Sequence, residues 1–377
     1  MTITTVETFP LVYPLDAGEG YGSARGISTS RTATLVRLET DGGLVGWGEA
    51  SGPPQVLATI IDEVLADWVI GEPVASVGSL SERAYCSMYH FSSGGLLQAA
   101  ISALDIGLWD LKGKSMGQPI HELLGDARRS TIRPYASTMY FTHADQKPTN
   151  AVQQAIEEGF DAVKIKIGRG IEADRKRVSI AREELGDGLL MVDANGNYRT
   201  DQAIRVAEAL EPYDIRWFEE PVAPENVEGY REVRASTPIP IAGGEAALTR
   251  FQFQRLFENR AVDLAQPDVC MCGGLTEAMR IAEQAAVDSV AVSPHCWMSG
   301  LGLAASLHFA SAVPSYPHAD HDPEPPLFEV DRAENPLRTD VLVDPLDLTG
   351  SSIEPPDDPG LGVTVDTDAI ETYRVDD

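Results

Sequence analysis

Short apolar runs alternate with amphipathic stretches between Ile132 and Val330. The runs at 132–136, 162–167, 189–193, 215–219, 239–242, 262–265, 289–293 and 326–330 are short and largely apolar on both faces. That is the pattern of parallel strands covered on both sides. Eight strand-helix steps over roughly 200 residues predict an α/β protein with a closed (β/α)8 barrel; an open doubly wound sheet is the structural alternative. Ahead of the barrel the pattern differs. Residues 3–12 read as a strand, 32–39 and 44–49 as a hairpin around Asp41-Gly42-Gly43, and 56–68 and 96–112 as helices. The glycine-rich 16–28 reads as a mobile loop. After Asp331 the chain turns rich in Pro and Asp and reads as a return segment packing on the first unit. The expected organisation is an α+β unit over 1–126, the barrel over 127–331 and the return segment over 332–377.

Polar residues interrupt this pattern at particular places. Val163-Lys164-Ile165-Lys166-Ile167 sets two lysines on alternate positions of a buried strand, so both project from one face. Lysine is otherwise confined to positions 112, 114, 147 and 176. Two ammonium groups so placed repel, and with partial burial one amine is expected to fall from about 10.4 towards the range of a base. A strand end whose lysines reach water is the plain alternative. Downstream, Asp193, Glu219, Glu245, Asp268, His295 and Glu329 stand at or just beyond the ends of successive runs. In a barrel, strand C-termini converge on one mouth, which brings such residues into a single site. Asp193, Glu219 and Glu245 come from consecutive units. Three carboxylates aimed at one point call for a cation, and all-oxygen ligation with room for water selects magnesium, or manganese, over zinc. Asp268 precedes His295 by one unit; a carboxylate on one imidazole nitrogen fixes the tautomer and raises the basicity of the other. Taken singly, each residue is more simply a solvated strand end or a packed histidine. Recurrence once per unit is what stability alone does not explain. Cys270 and Cys272 are given no chemistry.

Composition narrows the classes. A net charge of -29 speaks against nucleic-acid and anionic-membrane partners, which want positive surface. Abundant Asp and Glu with scarce Lys look like adaptation to high salt, so stability is expected to fall at low salt. Any site for an acid must then supply its own positive charge. No apolar run approaches the ~20 residues of a membrane helix. Residues 1–15 carry no basic start or cleavage-like site, so no signal peptide is read. Four scattered cysteines without a zinc-type pair suit a reduced, cytoplasmic setting.

In this order and spacing the motifs resemble the enolase superfamily, mandelate racemase / muconate lactonizing enzyme subgroup, over nearly the full chain. They are Trp47-Gly48-Glu49, Lys164-Ile165-Lys166, the three carboxylates, Gln266-Pro267-Asp268, Pro294-His295 and Pro359-Gly360-Leu361-Gly362. The resemblance implies a modified barrel, an N-terminal capping domain completed by the C-terminal segment, and an essential magnesium ion. It implies Asp193, Glu219 and Glu245 as metal ligands, Lys166 as one base, and His295, oriented by Asp268, as the opposite acid or base. Lys164 would contact the substrate carboxylate and depress Lys166. Glu329 would hydrogen-bond that carboxylate, with Asp320 as second choice for this role. Local similarity around 266–274, 294–297 and 328–332 points to the branch of galactarolactone cycloisomerase and acid-sugar dehydratases. The implied reaction is α-proton abstraction and β-elimination on an acid sugar or its lactone to a 2-keto-3-deoxy acid. A lactone cycloisomerase, a racemase or epimerase, and an inactive metal- or sugar-acid-binding relative are the alternatives. Specificity is expected from 16–28 and 51–55, and the resemblance also implies a symmetric homo-oligomer.

Overall fold

The computed structural model describes residues 1–16, 20–125, 129–142, 150–314 and 325–375. An antiparallel sheet is built from β1 (Ile3–Pro14), β4 (Ser30–Thr40) and β5 (Val45–Ala50), in the order β1-β4-β5, and each strand has a continuous buried run. Between β1 and β4 lie β2 (Tyr21–Ser23) and β3 (Gly26–Ser28), paired antiparallel. This corrects the reading of 16–28 as a loop, because Gly22 and Gly26 erase the side-chain alternation by which a strand is recognised. Residues 17–19 of that stretch lie outside the described residues. The predicted helix at 56–68 is Pro54–Ile60, a π turn at Ile61–Leu65 and Ala66–Val69 in one run. The helix Leu96–Met116 is buried over most of its circumference and packs on β5, so it is apolar well beyond a single stripe.

Eight parallel strands follow: β6 (Arg133–Thr138), β7 (Ala162–Lys166), β8 (Leu189–Asp193), β9 (Ile215–Glu219), β10 (Ile241–Gly243), β11 (Leu264–Ala265), β12 (Ala291–Val292) and β13 (Leu327–Asp331). They are ordered β12-β11-β10-β9-β8-β7-β6-β13. The last strand therefore pairs with the first, at Glu329 opposite Tyr135. A doubly wound sheet would reverse direction at a switch point, whereas this order goes once round a barrel. At the remaining seam the Ser293 hydroxyl donates to the Leu327 carbonyl at 2.6 Å.

Strand alternation sorts the side chains. Tyr135, Ala162, Met191, Trp217, Ala242 and Leu327 point inward and form their own buried cluster, the floor of the barrel. Val163, Ile165, Leu190, Val192, Phe218 and Ile241 point outward and join the larger core under the helices. The C-terminal stretch touches both units: Ile353 bridges to Ile132, Gly360 to Pro119 and Arg374 to Leu11. No described helix is long and apolar enough to cross a membrane. The four cysteines are free, Cys86 exposed and the others buried.

Candidate active site

The inward positions nearest the C-terminal ends of the strands carry charge where the floor carries carbon. On β7, Lys164 and Lys166 lie above Ala162 and are only 1% and 5% exposed. Their amines reach different acids. Lys164 Nζ donates to Glu219 at 2.5 Å and pairs with Glu329 at 2.8 Å, while Lys166 Nζ donates to Asp193 at 2.5 Å. Asp193 and Glu219 are the last residues of β8 and β9, and Glu245 follows β10. One oxygen from each of these three carboxylates lies within 4.8 Å of the other two. Asp193 and Glu219 are fully buried and Glu245 is partly exposed, so the triad opens to one side. A buried all-oxygen donor set with an open side fits a hard divalent cation such as magnesium.

Across the triad, His295 Nδ1 lies 2.8 Å from Asp268 Oδ2, and its Nε2 lies 3.6 Å from Glu245. Asp268 is itself held by the Cys270 amide at 2.8 Å. The lysine pair thus meets the triad at Asp193 and Glu219, and the histidine meets it at Glu245. All seven strand-end residues read from the sequence, and Lys164 with them, belong to this one connected set. Glu329 is fully buried against Lys164 and accepts from the Cys296 amide and the Trp297 indole. Asp320 lies outside the described residues.

The electrostatics correct one expectation. Burial alone would lower both amines, and Lys164 does push Lys166 down, but the carboxylates outweigh both effects. Glu219 and Glu329 hold Lys164 well above the ordinary lysine value, and Asp193 holds Lys166 above it. The expectation counted the neighbouring amine and omitted the acids that the fold delivers to it. Burial lowers His295 also, yet Glu245 and Asp268 raise it to about 10. Burial raises Glu329, but Lys164 and His295 bring it to about 2. Glu219 rises to about 7, because burial and the neighbouring acids exceed the help from Lys164.

Several residues of the site had no assigned role in the sequence. Gln266 and Trp217 donate to Glu219 Oε2 at 2.7 and 3.0 Å, fixing the orientation of that carboxylate. Trp297 presents its ring 5.2 Å from Lys166 Nζ. Glu220 is buried, left-handed at φ 41°, and raised well above the ordinary carboxylate value by burial and Glu245. The signals available were the Glu219-Glu220 doublet and the Gln266-Pro267-Asp268 run, but neither spacing reveals an inward direction beyond a strand end.

The hairpin β2–β3 reaches this mouth. Tyr21 packs on Trp297 with ring centroids 5.2 Å apart, and Arg25 donates to the Asn195 carbonyl at 3.4 Å. Arg31 stacks on Tyr21 at 3.6 Å and pairs with Asp331 at 2.7 Å.

A barrel whose mouth sets an acid triad beside buried lysines and a carboxylate-bound histidine has the donor set for a divalent cation. The chain belongs to the enolase superfamily: residues 148–369 match the enolase C-terminal domain-like family, and 21–125 match the mandelate racemase / muconate lactonizing enzyme N-terminal domain. It is 38% identical to D-galactarolactone cycloisomerase of Agrobacterium fabrum, with 100% of both chains covered. Identity to arabinonate dehydratase of Saccharolobus solfataricus is 31%, covering 90% of each. The crystal structure of 3,6-anhydro-D-galactonate cycloisomerase from Zobellia galactanivorans matches with TM-score 0.90 and 36% identity, covering 100% of each chain.

Proposed function

We propose that this protein removes the proton beside the carboxylate of an acid sugar or its lactone and expels the oxygen on the next carbon. The observation that supports this reading is that Lys166 and His295 stand at different members of one carboxylate triad, Lys166 at Asp193 and His295 beside Glu245. Asp193, Glu219 and Glu245 would hold magnesium. Bound there, the ion would balance the negative charge that otherwise keeps Lys166 protonated and would stabilise an enediolate electrostatically.

The remaining roles fall to the chain's own groups. The Lys164 ammonium, backed by Glu329, offers the substrate carboxylate its positive charge inside an otherwise acidic protein. Lys166 and His295 divide two proton transfers. One group takes the proton from the α-carbon, and the C–H electron pair moves into the enediolate. As the enediolate collapses, the bond from the β-carbon to oxygen breaks, and the departing oxygen takes a proton from the other group. The resulting enol becomes the 2-keto-3-deoxy acid. Asp268, 2.8 Å from Nδ1, would orient the His295 ring with its Nε2 towards the triad.

The leaving oxygen separates two readings. Full-length similarity to D-galactarolactone cycloisomerase favours a ring oxygen, hence lactone opening. Similarity to arabinonate dehydratase favours a hydroxyl, hence loss of water. Incubation with magnesium and a panel of aldonic acids and aldarolactones, followed by NMR, decides between them through the substrate that yields the keto acid. Lys166→Ala and His295→Ala are each expected to lower turnover by roughly a hundredfold or more. Full activity in both variants would overturn the assignment. Deuterium entering recovered substrate without keto product would replace elimination by epimerisation.

A further inference from the structure

The two sides of the site are built differently. The lysine side is held from within, by acids on β8, β9 and β13. The histidine side is held from outside the barrel. Glu49, the penultimate residue of β5, is fully buried and directs all its hydrogen bonds to the first turn of the barrel helix Gly300–Ala312. It accepts from the Ser299 amide at 2.8 Å, the Ser299 hydroxyl at 2.5 Å and the Gly302 amide at 2.8 Å. That helix directly follows the turn carrying His295. Two residues further along the first unit, the Ser51 amide donates to the Cys270 carbonyl at 3.1 Å, within the turn that carries Asp268.

A second carboxylate repeats the arrangement on the neighbouring barrel helix. Asp105, on the helix Leu96–Met116, accepts from the Thr276 amide at 2.9 Å and the Thr276 hydroxyl at 2.6 Å. Thr276 lies in the first turn of the helix Gly274–Val287, which follows Asp268. Ser102, on the helix Leu96–Met116 with Asp105, accepts from the Gly273 amide at 2.9 Å. These acids share one rigid support. A Cβ on Gly48 would lie 1.9 Å from the Ala103 carbonyl oxygen, so β5 sits directly on the helix that bears Ser102 and Asp105.

We propose that Glu49 and Asp105 are positioning residues that set the Asp268–His295 pair from outside the barrel, each by capping the barrel helix that follows one member of the pair. The N-terminal unit then does more than cover the mouth. It fixes the geometry of one proton-transfer side and leaves the other to the barrel. A carboxylate at a helix N-terminus satisfies otherwise unpaired amides and meets the positive end of the helix dipole, so each contact is directional as well as attractive. This inference rests on the role given above to Asp268 and His295.

The test uses the full-length protein with Glu49→Gln and Asp105→Asn, and Asp110→Asn as control. Asp110 is buried on the same helix, but its hydrogen bonds go to Trp47, Lys114 and Leu361 and not to the 268–302 turns. The first readout is the downfield ring N–H proton of the Asp268–His295 hydrogen bond, assigned in the wild type by its absence from His295→Asn. It is expected to shift or vanish in Glu49→Gln and Asp105→Asn and to persist in Asp110→Asn. The second readout is kinetic: kcat falls roughly tenfold to a hundredfold with KM little changed, the scale of a misplaced catalytic group. Magnesium binding by calorimetry stays at the wild-type value, because the triad stands on other strands. An unaltered proton resonance in folded Glu49→Gln overturns the proposal. Should that variant not fold, Ser299→Ala removes one of the three bonds and keeps the charge; an unaltered resonance there overturns it equally. Should the wild type turn over no acid sugar, the functional reading fails, and the proton resonance still decides this inference.

Discussion

Lys164 and Lys166 show how much a single side chain inherits from its partners. Their shared face follows from strand alternation, and the structure keeps it. Their protonation does not follow, because it is set by Glu219, Glu329 and Asp193, which arrive from other strands. Gln266 is the reverse case: no charge marks it in the sequence, yet it anchors Glu219. Gln266→Leu removes that donor while keeping the bulk. It is expected to weaken magnesium binding tenfold to a hundredfold, the usual scale for a lost outer partner, measurable by calorimetric titration.

At the scale of elements, all eight barrel strands were legible in position, the shortest were not legible in extent, and β2 and β3 were missed. β8 and β9 coincide with the predicted 189–193 and 215–219. β11 and β12 contain only two residues each, although the predicted runs begin two residues earlier, at 262 and 289. Burial in a barrel wall requires apolar side chains, whereas strand assignment requires ladder hydrogen bonds, and near the seam the two separate. Contacts between elements were the least legible. The helices Ile120–Leu124 and Gly300–Ala312 meet through His121 and His308, with Nδ1 atoms 3.0 Å apart. Burial pushes His308 down to about 3, while an unfolded histidine titrates near ~6.5. The stability tied to neutral His308 is therefore complete above about pH 6.5 and is lost as pH falls towards 3, by on the order of 1 kcal/mol per pH unit. Other groups act on the same range. Burial also lowers His121, against Asp357 and Glu122, and raises Glu49 to about 7 and Asp105 to about 6. The two raised carboxylates oppose the histidines, since acid neutralises them. Comparison with His308→Gln isolates the histidine contribution: between pH 6.5 and 4 its melting temperature should decline less steeply than that of the wild type.

At the scale of the whole molecule, a net charge of -29 dominates. Self-repulsion on this scale opposes the folded state and is screened by salt. Melting temperature is expected to rise as potassium chloride is raised from about 0.1 M to 1 M, where the screening length falls from ~10 Å to ~3 Å. A flat profile would remove the high-salt reading. The same field repels anions at long range and is screened by the same salt.

By itself the sequence determined a strand-helix repeat of barrel size, since runs apolar on both faces followed by amphipathic helices can be buried in few ways; the strand order that closes it was decided by the tertiary structure. It also determined the set of strand-end residues, because the repeat that builds the barrel places one station in each unit after the first. Tertiary structure alone decided which station meets which, and therefore how Lys166, His295 and Glu329 titrate. It alone turned 21–28 into a hairpin over the mouth and brought Glu49 and Asp105 to the histidine side. These outcomes rest on contacts between residues far apart along the chain. Local periodicity carries no information about such distances, whereas charge, hydrogen bonding and protonation depend on little else.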